Sequence, residues 1–184
     1  MRIKIILSLA IAVVICSGIS SAPKKNTAPV KPDLDLTVGT SIEGAVMKLL
    51  PKNSRLVHQV TEGIFGPADG MMGPNINVVY STSGRTPEIM VLTPYENGKY
   101  KKTKPAALNF PGMTGVEVQS VFFDQADKDN ARELFVLCQV SNKKGTKYAT
   151  AVFDWNGNEF KRMPKIEAKL KDAYPAINVR RALR

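Results

Sequence analysis

The chain has 184 residues, 43% of them apolar and 23% charged, with a formal net charge of +10. That composition belongs to a globular protein and argues against a wholly disordered, collagen-like or coiled-coil chain; the length suits one medium domain. Two cysteines and one histidine exclude a multi-histidine zinc centre, a cysteine-rich cluster and a C-x-x-C redox pair within this chain.

Residues 1–22 read as an export signal. Arg2 and Lys4 give a basic start, residues 5–15 are apolar except for Ser8, and Gly18, Ser20, Ser21 and Ala22 offer small side chains to a signal peptidase. The apolar run falls short of the roughly 20 residues a membrane-spanning helix needs, so no transmembrane span is expected after cleavage. Cleavage after Gly18, Ser20 or Ala22, an uncleaved anchor, and lipid attachment at Cys16 stay open. The expected location is secreted or periplasmic. Loss of Arg2, Lys4 and Cys16 would leave a net charge of +8 and one thiol, Cys138, so stability has to come from core burial rather than an internal disulfide. An exported protein has little access to nucleic acid. The charge therefore points to an anionic cell-envelope polymer or an exported protein partner, with solubility as the plainer reading.

Residues 23–39 carry three prolines and no periodicity and read as a flexible leader, followed by a single β-rich domain over 40–184. A helix is expected over 41–50: Thr40 and Glu43 have capping-box spacing, Ile42, Val46, Leu49 and Leu50 share a face, and Pro51 ends the run. Beyond it the period changes to two. Strands are expected over 56–60, 76–80, 88–92, 116–123, 133–140, 148–154 and 159–162, with a long turn-rich loop at 63–75. Asn97-Gly98 and Asn156-Gly157 are the strongest hairpin signals, because both central residues of a type I′ turn need positive φ. Residues 134–138 are apolar on both faces, which places that strand centrally in a sheet.

Two stretches look alike, 76–104 and 116–163. Val78-Val79-Tyr80, a polar turn, Glu88 to Leu92 and the Asn97-Gly98 hairpin match Val121-Phe122-Phe123, a polar turn, Glu133 to Leu137 and the Asn156-Gly157 hairpin. The expected fold is thus mainly β: an antiparallel sheet of two similar strand–turn–strand–hairpin units with one short N-terminal helix. This pattern resembles the FG-GAP/VCBS-type repeats of exported β-propeller-like proteins. The resemblance covers about 76–163, in two copies, and implies a partial propeller-like sheet. In that family an Asp-rich loop ahead of an apolar strand commonly holds calcium. Here it implies a calcium ion on Asp124, Asp127, Asp129 and Glu133, although Asp124 is displaced by one residue and Asn130 stands where the family prefers Gly. The first copy has Ser81, Ser83 and Arg85 instead of acids. A solvated acidic turn is the alternative.

Lys99, Tyr100, Lys101 and Lys102 on one hairpin and Phe160, Lys161 and Arg162 on the other would form a basic strip if the hairpins lay side by side. That strip is the expected ligand-binding surface, with edge protection by lysine as the alternative. His58 could serve as a general base and Cys138 as a nucleophile; a structural or surface His58 and a buried, inert Cys138 are the expectation. No catalytic residue is assigned. The chain reads as a non-enzymatic binding module. The alternative is an inhibitor or accessory protein of an exported enzyme, inserting the 63–75 loop into its partner.

Overall fold

Long strands that are apolar on both sides need cover on both sides, and this requirement organises the molecule. The computed structural model describes residues 31–36, 39, 41–64, 73–129, 131–155 and 159–184, all within the unit Lys31–Arg184. Strands take up 47% of the described residues and helices 14%, so the protein is mainly β. The expected export signal, the first part of the leader, Thr40 and residues 65–72 of the turn-rich loop lie outside the described residues.

Among the described residues the first sheet contains β1 (Leu34–Asp35), β2 (Ser54–Leu56), β3 (Thr61–Gly63), β4 (Asn75–Thr82), β5 (Glu88–Glu96), β6 (Lys99–Lys102) and β7 (Ala106–Ala107). Its order is β1-β6-β5-β4-β2, with β3 also on β4 and β7 on β5. The second sheet contains β8 (Gly115–Asp124), β9 (Glu133–Asn142), β10 (Gly145–Trp155) and β11 (Phe160–Arg162), in the order β11-β10-β9-β8. All pairings are antiparallel, and one of the sheets curls into a half-barrel.

Period-two alternation sends Val79, Ile89 and Val91 of the first sheet and Leu134, Val136, Cys138, Ala151 and Phe153 of the second into one shared core. The two sheets therefore pack face to face. The opposite face of the first sheet, with Ile76, Val78, Met90 and Leu92, is covered by α1 (Ile42–Met47) through Ala45 and Val46. The opposite face of the second, with Phe122, Phe135, Leu137 and Val152, is covered by α2 (Pro164–Lys169) and α3 (Ala176–Leu183), followed or joined by Leu170 and Val179. The apolar positions of β8 do not alternate cleanly: Val116 and Val118 are followed by Val121 and Phe123. A bulge between Val118 and Ser120 absorbs the extra residue and keeps all four toward the shared core.

Several expectations need correction. There are two stacked sheets rather than one; each look-alike stretch lies within its own sheet. Asn97-Gly98 joins the second and third of β4, β5 and β6, whereas 156–157, outside the described residues, falls between the third and fourth strands of the other sheet. Three helices are present among the described residues, not one, and α1 is shorter than 41–50. Its N-cap is Ser41, whose Oγ accepts the Gly44 N–H at 3.2 Å. The expected strand over 56–60 does not form: β2 ends at Leu56, 57–60 are a link, and β3 begins at Thr61. Within the stretch read as leader, Leu34 and Asp35 form a strand on Tyr100 and Lys99, and buried Leu34 anchors it.

Candidate functional site

The acidic segment is the β8–β9 connection. Asp124 ends β8 opposite Glu133, which opens β9. Asp127 Oδ1 accepts the Asp129 N–H at 3.0 Å, and Asp129 Oδ1 accepts the Ala131 N–H at 2.7 Å. The Ala126 N–H donates to Glu133, and the Gln125 side chain donates to the Asp129 carbonyl. These bonds draw Asp127, Asp129 and Glu133 together, with one oxygen of each within 4.8 Å of the others. The group could hold a metal ion. Asp127 and Asp129 are exposed, but Glu133 is 1% exposed. Burial, reinforced by the neighbouring Asp127 and Asp129 charges, pushes the Glu133 carboxyl up to about 7 against the opposing pull of the Ala126 N–H.

Asp124 does not join this group. Its carboxylate pairs with Arg180 of α3 at 2.9 Å, and that guanidinium lies 5.0 Å over the Phe122 ring. Three of the four expected ligands thus converge and the fourth pins a helix.

The hairpin residues are dispersed. β6 lies in the first sheet and β11 in the second, so the hairpins do not stand side by side. β1 pairs with β6 and brings acids to its lysines: Lys101 lies 3.8 Å from Asp33, which also accepts the Lys102 N–H at 3.0 Å. Lys99 is paired with Glu96 at 2.6 Å, a contact that raises the Lys99 pKa. Tyr100 is buried in the core beneath α1, where desolvation raises its hydroxyl pKa. Phe160 packs on Trp155 and Phe153. Arg162 is held in a fork by Glu167 and sits over Phe110 and Phe153 at 5.4 and 5.3 Å. Lys102 and Lys161 are exposed.

His58 occupies the link between β2 and β3, its Nδ1–H donating to Gln59 O at 2.9 Å. Cys138 is buried in the shared core, its thiol directed at Val136 O at 3.7 Å, and burial pushes its pKa up to about 12.

Sequence reading missed the ties that α2 and α3 provide. The signals were there: Pro164 at a first helical turn, Ile166 and Leu170 four apart, and Val179 and Leu183 four apart. No protein-family model matches the chain, and no curated protein or solved structure matches it either.

Proposed function

We propose that this is an exported, non-enzymatic β-rich module that binds a cell-envelope ligand, either an anionic polymer or an exported protein partner, through its basic surface. In this reading it is a degenerate two-unit FG-GAP/VCBS-like protein with one calcium ion in the β8–β9 loop. The convergence of Asp127, Asp129 and Glu133 carries the proposal. Calcium takes six to eight oxygens on a tight loop; three carboxylates offer at most six, and water or carbonyl oxygens complete the shell. The buried Glu133 adds support, since a divalent cation would offset the desolvation and repulsion that otherwise favour its protonated form. The Cys138 thiol in the core and the His58 imidazole in a strand link suit a protein that works by contact.

Thermal melting during calcium titration tests the ion. Calcium at a hundred times its dissociation constant stabilises by about 2.7 kcal/mol, which would raise the midpoint by several degrees at pH 8, and a chelator should reverse the rise. A flat response removes the ion from the reading. Capture from a cell-envelope extract at low and high salt tests the partner. Salt-sensitive capture of polysaccharide or teichoic-type polymer supports the first form, and salt-resistant capture of one protein supports the second. Capture of neither overturns the binding role.

A further inference from the structure

The second sheet ends in a long edge strand with little protection among the described residues. β8 is ten residues long, and among the described residues no strand pairs with its outer side. Natural edges are usually blunted by lysine, proline or a bulge. β8 has a bulge at Val118–Ser120 but no lysine, arginine or proline, in a chain with 26 basic residues and 12 prolines. The lysines that would be expected on such an edge lie instead on β6, which β5 and β1 flank.

Beside the first half of β8 a cleft of about 510 Å³ opens between the sheets, with Val116, Glu117 and Val118 on one wall and Arg55, Ser81 and Arg85 on the other. Arg55 is opposite Ser81 on β2, and its neighbour Leu56 packs toward α1. Alternation therefore turns Arg55 to the other face, the one nearer β8. Arg85 is set by the β4–β5 turn: its N–H donates to Thr82 O at 2.9 Å, and its carbonyl accepts the Ser81 hydroxyl at 3.0 Å. Both guanidinium side chains are exposed, and neither has an ion-pair partner among the described residues. The turn holding Arg85 occupies in the first sheet the place that the acidic loop occupies in the second.

We propose that this seam takes an acidic, extended segment of a protein partner, which adds as a strand to the outer edge of β8 and sets a carboxylate on Arg55 and Arg85. Main-chain hydrogen bonds to the edge supply affinity, and the arginine forks supply selection for acid over amide or amine. Alternation along an added strand puts every second side chain on the arginine side, so the preferred segment carries its acids at alternate positions. The inference rests on the binding-module reading and names the partner class and its surface.

The test uses the full chain and three synthetic probes: N-acetyl-(Glu-Val)4-amide, its Lys-Val counterpart, and the Glu-Val peptide N-methylated at alternate residues. Calorimetry should show binding of the first only, and amide hydrogen exchange should slow along residues 115–124 when it is present. The R55E/R85E double variant should weaken binding at least tenfold with an unchanged melting midpoint, because both side chains are exposed. Absence of binding at millimolar peptide, equal binding of the N-methylated probe, or unchanged affinity in the double variant overturns the proposal. Calcium titration uses neither peptide nor β8, and extract capture does not depend on the synthetic peptides, so a negative result here alongside positive ones there removes strand addition alone.

Discussion

Glu133 is buried at the mouth of β9 with Asp127 and Asp129 beside it, so ionising it costs the folded chain free energy that the unfolded chain does not bear. Its folded pKa of about 7 lies above the ordinary 4.5. Native protein therefore holds the proton more tightly. The stability this provides is complete below pH 4.5 and is lost as the pH rises through about 7. The difference amounts to about 3 kcal/mol. Urea unfolding at pH 5 and pH 8, without calcium, should show that decline in the native sequence, and Glu133→Gln should abolish most of it. A decline of equal size in the variant would mean that another group is responsible. The Asp127, Asp129 and Glu133 spacing was readable along the chain because these residues share one short loop. The diversion of Asp124 was not, because its partner Arg180 lies on a helix far along the sequence.

Elements depend on a few close approaches. β3 runs so near β8 that a Cβ on Gly63 would come within 3 Å of three atoms of the Phe123 ring, whose side chain packs on the shared core. Gly63→Ala should cost about 1–3 kcal/mol through overpacking. Adding Phe123→Leu should recover part of that loss, a coupling that a double-mutant cycle by chemical denaturation would measure. Strictly additive losses would show that the ring moves aside freely. Strand positions were largely legible, because alternation and turn residues are local signals. β8 was legible too, although its bulge shows only when the apolar positions Val116, Val118, Val121 and Phe123 are compared with a strict period of two. The α1 cap lay one residue from the expected one, since Ser41 and Thr40 offer the same hydroxyl and only the backbone path distinguishes them.

For the molecule as a whole, the four-layer order of α1, sheet, sheet, and α2 with α3 makes the C-terminal helices part of the core. Leu170 and Val179 are fully buried against Phe135, Leu137 and Val152, and Arg162 with Glu167 ties β11 to α2. Glu167 also accepts the Val152 N–H at 3.0 Å. A chain ending after Met163 should expose that apolar face and lose cooperative unfolding, with dye binding and rapid proteolysis as readouts. A truncated chain that still melts sharply near the native midpoint would show that the helices are ornamental.

Composition and pattern alone determined that the protein is mainly β, where most of the long strands lie, which strand is central, and which carboxylates share a loop. Each of these follows from neighbours within about ten residues. Tertiary structure decided that the strands form two sheets rather than one, that the basic hairpins are separated with Lys99 and Lys101 answered by Glu96 and Asp33, and that β8 is an edge strand of the second sheet. A strand that is apolar on both faces demands two covers without specifying them, and only the packed molecule settles whether a second sheet or a helix supplies each one.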